Sequence, residues 1–174
     1  MDVITTHLHP LWNGASVDSA VIWVAAHHEE ARTLHPDRPV IVGEAGWATA
    51  HDQQGDQGRL MRGAVGEAEQ ARVVADLAAW TARTRVPTLL FEAFDERWKG
   101  GDDPTDAEKH WGVFHADRTP KPVFSRLGEF IAQAHKPPAD DLLPAGLYES
   151  TENNAEPHEV CVLGGWRRDT PAAP

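Results

Sequence analysis

Residues 39–47 read PVIVGEAGW, and this stretch decides the fold. From Pro39 to Glu44 the run is short and apolar without polar alternation, the pattern of a strand covered on both faces in a parallel sheet. It ends in a carboxylate, Glu44, set between Gly43 and Gly46 with Trp47 close behind. A charge at a strand tip has two readings. It is either a strand end solvated by water or paired with Lys99, or a group placed there for chemistry. The residues of this stretch leave both open.

Upstream, Asp2 to His9 alternates and is rich in Val, Ile and Thr, which predicts a strand. The turn PLWNG follows. Ser16 is placed as an N-cap, with Val17, Ala20, Val21, Val24, Ala25, His28 and Ala31 at helical spacing until HPDRP stops the helix. Downstream, a Gly/Asp/Gln-rich loop runs from about Ala45 to Gly66. A helix is predicted over about Glu67–Arg85, with Ala71, Val74, Ala75, Ala78 and Ala82 on one face. Pro87 opens a third strand, PTLLFEAF, which leads into the polar loop DERWKGGDDPTD. HWGVF is then a short extended piece, and Pro122–His135 is a last helix. Strand and helix alternate three times, with a polar loop after each strand, which predicts an α/β fold with a parallel sheet. From Lys136 onward Pro recurs and periodicity vanishes, so residues 1–135 are expected to form the domain and 136–174 a disordered tail.

Composition narrows the function classes. The 174 residues are 41% hydrophobic and 25% charged, as in a soluble globular domain. No apolar run approaches the roughly 20 residues a membrane helix needs, and the first residues lack the pattern of a signal peptide. A net charge of −11 without a Lys/Arg cluster argues against nucleic acid as a partner. The single Cys161 excludes an internal disulfide and a cysteine-cage zinc site. His7 and His9 share a strand face, and His27 and His28 sit near Glu29. No H-E-x-x-H pattern accompanies them, so they are read as surface or supporting histidines, and neither a metal nor a cofactor is expected. Seven Trp against one Tyr suit core packing and also offer flat platforms for sugar rings.

The three strand tips read THLHPLWNG, VGEAGW and FEAFDERWK. In parallel α/β folds function gathers at these C-terminal ends. Glu44 on one tip and Glu92, Asp95 and Glu96 on the next fit the two-carboxylate chemistry of glycoside hydrolysis.

In order along residues 1–130, VIVGEAGWAT, QARVVADL, FEAFDERWK, EKHWGVF and the D-x-x-x-K turn after it resemble the second half of glycoside hydrolase family 17. These are the β-1,3-glucanases and related β-1,3-glucanosyltransferases. The resemblance implies a partial (β/α)8 TIM barrel, its sixth to eighth strands, with β-1,3-glucan as substrate and a retaining mechanism. It makes Glu44 the nucleophile, and Glu96 and Lys99 the Glu and Lys that hold the site's hydrogen-bond network. Glu108, before Trp111, becomes a supporting carboxylate. His9, Trp12, Glu92 and Trp98 are expected near the sugar, and Trp47 either stiffens the nucleophile loop or lines a subsite. Lys99 is expected to keep a neighbouring carboxylate ionised. Family members are often extracellular, periplasmic or bound to the cell wall.

Two departures matter. Around the nucleophile the family writes E-T/S-G-W-P-S, where this chain has Ala45, Ala48 and Thr49. The family's general acid/base, a Glu in an N-E pair on the fourth strand, has no counterpart in these residues. The chain is therefore expected to be the C-terminal part of a barrel. Either Glu92 or Glu96 serves as the acid, or the chain is a glucan-binding remnant, or further strands supply the missing group.

Overall fold

The computed structural model describes residues 2–134; the expected tail lies outside them. Three parallel strands, β1 (Ile4–His7), β2 (Val40–Ala45) and β3 (Thr88–Leu90), lie in the order β1-β2-β3. Helix α1 (Ala20–Leu34) joins the first two, and α2 (Gly55–Leu60) and α3 (Glu67–Thr84) join the second and third. Helix α4 (Pro122–Ala134) closes the described chain. Among the described residues no helix is long and apolar enough to cross a membrane.

β2 is central, as its apolar run requires. Val42 is fully buried against Val24 of α1 and Leu77 and Trp80 of α3. Burying such side chains contributes about 1.5–3 kcal/mol each. The opposite face is open at Thr5, His7 and Leu89.

Register is regular where Ile4 faces Val40 and Thr6 faces Val42. It then slips, so that His7 faces Glu44. Between Val42 and Ala45, β2 also carries one residue more than β3. Such bulges bend a strand and re-aim its side chains, and this one turns Glu44 toward β1. Gly43 sits at the slip, where a Cβ would lie 3.3 Å from Thr5 and 3.4 Å from the His7 ring.

Several local expectations are corrected. Ser16 does not cap α1, which starts at Ala20 after Ser19. Ser16 and Ser19 satisfy each other instead, the Ser16 amide donating to the Ser19 hydroxyl at 2.9 Å and the Ser19 amide to the Ser16 hydroxyl at 3.3 Å. The expected long loop holds α2, fastened by Gln57, whose Oε1 accepts from the Asp52 and Ala107 amides and whose Nε2 donates to Asp106. The buried face of α3 includes Val73, Leu77 and Trp80, and Ala82 is exposed. The larger side chains command more burial energy than the alanine stripe.

β3 is shorter than PTLLFEAF suggests because the chain changes partner. The Phe91 amide still donates to Ala45. From Glu92 on, the partner is the segment 111–114: Glu92 donates to Trp111, Val113 to Glu92 and Phe114 to Ala93. The Phe91–Glu92 peptide is cis. HWGVF thus extends the sheet beyond β3, with Phe94 and Phe114 in a parallel bridge.

Candidate active site

Because the strands are parallel, Glu44 at the end of β2 and Glu92, Glu96 and Lys99 beyond β3 leave the sheet at the same end. Glu44 is half-buried, and both of its recorded partners meet one oxygen. His9 Nε2 lies 3.1 Å from Oε2, and His7 Nδ1 lies 3.3 Å from the same atom. An ionised carboxylate only accepts, so the proton of the His9 bond belongs to Nε2. The ring is held edge-on between Phe91 and Trp111, with centroids 5.3 and 5.2 Å away. Its Nδ1 is buried and unpartnered among the described residues.

Phe91 is shared by both halves of the site. Lys99 Nζ stands 4.9 Å from its ring centroid, on a cation–π contact. The ammonium reaches Glu92 Oε2 at 2.5 Å and Glu96 Oε2 at 2.6 Å. Burial pushes the Glu92 carboxyl up. Lys99 opposes that shift, and the negative charges of Glu96 and Glu108 reinforce it. Burial pulls Lys99 down, but its bonds to Glu92 and Glu96 together outweigh this and raise it. The reading of Glu44 as a strand end paired with Lys99 is thereby corrected: Lys99 meets Glu92 and Glu96, the neighbouring carboxylates, while Glu44 is held by histidines.

Glu108 lies in a short turn, Ala107–Lys109, whose first residues are capped by Asp106. Trp12 is half-buried against the cluster of Leu11, Trp47 and Trp111. Trp98 is 77% exposed and stands 5.7 Å from Lys99 Nζ. Of the two roles expected for Trp47, the subsite role is the one corrected. Its ring has no exposed surface and its Nε1 donates to the Ala64 carbonyl at 3.0 Å. It stiffens the loop after Glu44 and offers no face to a sugar. His28 also leaves the list of surface histidines, since it is buried and bonds the Val40 carbonyl at 3.0 Å.

Residues 1–112 match the model of the BtgE/BtgC glycoside hydrolase domain. The chain belongs to this family. As a BtgE/BtgC-type domain it is 37% identical over 81 residues to a glucan 1,3-beta-glucosidase of Candida albicans, covering 46% of this chain and 24% of that protein. To the probable glucan endo-1,3-beta-glucosidase btgC of Aspergillus fumigatus it is 29% identical over 131 residues, 70% of this chain and 19% of that one. The chain thus spans a quarter or less of the length of these relatives. Among solved structures it resembles the glycoside hydrolase family 17 beta-1,3-glucanosyltransferase of Rhizomucor miehei, with a TM-score of 0.60 and 25% identity. That likeness covers 71% of this chain and 42% of the other, and the resemblance to glycoside hydrolase family 17 holds in both sequence and fold.

Sequence reasoning passed over Gln70 and Lys121, each 1% exposed. Lys121 was visible only as the end of a D-x-x-x-K turn. Its burial depends on residues from three other segments, which no local pattern carries.

Proposed function

We propose that residues 1–135 form the part of a family 17 barrel that contains the nucleophile, resembling strands six to eight, and that Glu44 attacks the anomeric carbon of β-1,3-linked glucan with net retention. The observation that carries this reading is the unequal use of the two Glu44 oxygens. His9 and His7 both engage Oε2, which fixes the carboxylate and leaves Oε1 as the attacking oxygen. The bond from Oε1 to the anomeric carbon forms as the glycosidic bond breaks, and the leaving oxygen takes a proton from an acid. Water or a sugar hydroxyl then displaces Glu44, giving hydrolysis or glucosyl transfer.

Glu96, Lys99 and Glu108 act as the supporting charge network, and Trp12, Trp98, Glu92 and His9 as contacts to the sugar. The proton comes from strands supplied by further sequence. A second reading rests on one observation: Glu92 is the carboxyl here whose protonated form burial favours, so it is the candidate acid if this chain acts alone. Retention then needs Glu92 about 5–5.5 Å from Glu44 across the scissile bond.

The test is reducing-sugar release from a linear β-1,3-glucan by the 174-residue chain and by a version extended to a whole barrel, each with a Glu44→Gln control. The extended protein is expected to turn over on the order of 1 s⁻¹ or faster, and the chain alone about 10²–10⁴-fold slower for want of the acid. Activity abolished by Glu92→Gln in the chain alone would favour the second reading. Turnover indifferent to Glu44→Gln would sink the nucleophile assignment, and an inert extended protein would leave only a glucan-binding remnant.

A further inference from the structure

The carboxylates of the site stand on separate segments: Glu44 before the loop 46–50, Glu92 and Glu96 after β3, Glu108 before the segment 110–114. One buried cation meets all three segments. Lys121 is 1% exposed, and its Nζ donates to Asp95 Oδ1 at 2.7 Å and to Thr49 Oγ1 at 3.1 Å. The same Asp95 oxygen accepts the Gly112 amide at 3.0 Å. Backbone bonds run alongside: Thr49 to the His110 carbonyl, Asp95 to that of Phe114, and Lys121 to that of Val113. Gln70 of α3 adds a second buried fastener, its Nε2 lying within 2.9–3.2 Å of the carbonyls of Trp47, Trp111 and Gly112.

An ion pair this deep is poor value as a stabiliser, because desolvating both charges offsets most of their attraction. A well-packed apolar pair would hold the core as firmly. What the ion pair adds is direction, since the ammonium donates only toward certain oxygen positions. It also sits where the loop of Glu44 meets the loop of Glu92, Glu96 and Lys99, through Thr49 on one side and Asp95 on the other.

We infer that Lys121, acting with Asp95 and Thr49, is a positioning residue that sets the distance between Glu44 and the Lys99-held carboxylates. The role in turnover rests on the proposed function; the role in geometry does not. Thr49→Val keeps the Lys121–Asp95 pair and the Thr49 amide's bond to the His110 carbonyl, and removes the hydroxyl with both of its bonds, the one from Lys121 and the one to the His110 carbonyl; Thr49→Ser keeps that hydroxyl.

Two measurements test this. Carboxyl and ammonium resonances of Glu92, Glu96 and Lys99 in the 174-residue chain should shift in Thr49→Val and return in Thr49→Ser, and the fall in thermal midpoint that loss of a buried acceptor causes in Thr49→Val should be recovered in Thr49→Ser. In the extended protein Thr49→Val should lower kcat about 10–100-fold at nearly constant KM, as sub-ångström misplacement of reacting groups does, and Thr49→Ser should restore it. Unmoved resonances, or equal losses in both variants, overturn the clamp. If Thr49→Val fails to fold, the charge-balanced pair Lys121→Met with Asp95→Asn is read by the same resonances, with the same two outcomes. Absence of turnover in the extended parent would overturn the proposed function alone, and the resonances would still decide the clamp.

Discussion

At Glu44 two imidazoles share one oxygen, and they are not equivalent. His9 is wedged between Phe91 and Trp111, while the His7 side chain is 57% exposed and touches only the edge of the site. His9→Ala should therefore free the carboxylate to rotate and lower kcat of the extended protein by tenfold or more. His7→Ala should cost less, and equal losses would refute the ranking. Around Lys99 the expected changes have definite signs. Glu96→Gln removes a negative charge near Glu92 and leaves the ammonium to Glu92 alone, so the Glu92 titration should move down; Lys99→Met should move it up. For stability, a carboxyl raised on folding binds its proton more tightly in the native state. Its contribution to stability therefore declines as pH rises from the ordinary carboxylate value through the raised one, and stays low above it. Carboxyl-detected NMR titration of the two variants checks both signs. The carboxylates and Lys99 were legible in the sequence because strand tips advertise their charges. That Lys99 also takes Glu92, and that histidines hold Glu44, was not, since that depends on how β3 leaves the sheet.

Among the elements, β2 was the most legible and its bulge the least. An apolar run announces a buried strand, but nothing in VIVGEAG tells which residue is skipped by its neighbours. The glycines carry that information once the packing is known. Gly46 follows directly after β2, and a Cβ there would fall 1.9 Å from the Phe91 carbonyl oxygen and 3.6 Å from the Trp111 ring. That carbonyl cannot easily retreat, because the Phe91 amide is bonded to Ala45. Gly46→Ala is expected to cost about 2–3 kcal/mol through this overlap and to lower Tm by roughly 5–10 °C, measured by thermal denaturation followed by circular dichroism. A Tm within one or two degrees of the parent would mean that the two strands separate more readily than their hydrogen bonding implies. The α1 start and α2 escaped the sequence reading for a different reason. Ser16 and Ser19 are equally good caps by type, and α2 is held by Gln57 reaching residues fifty positions away.

For the whole described unit, helices cover one face of the sheet and leave the other exposed. The βα alternation made the parallel sheet legible, yet it could not reveal how much of that sheet is covered. Val3 is 49% and Leu89 55% exposed, and β1 has β2 on one side and no strand on the other among the described residues. Open, partly apolar edges pair with other chains. The purified 174-residue chain should therefore associate as its concentration rises, through the free edge of β1. The ladder identifies the donors involved. Ile4 gives its amide to Pro39 and Leu8 gives its amide to Glu44, so by the alternation of strand amides that of Thr5 faces outward. Thr5→Pro removes an outward donor without taking a bond from the β1–β2 ladder, and proline is tolerated at such edge positions. In sedimentation experiments over roughly tenfold steps of concentration, the parent should rise above its 19.1 kDa monomer mass while Thr5→Pro stays near it. A parent that remains monomeric throughout would show the edge to be protected in solution. Association unchanged by Thr5→Pro would move the contact to the exposed face around Leu89, where Leu89→Lys is the corresponding probe.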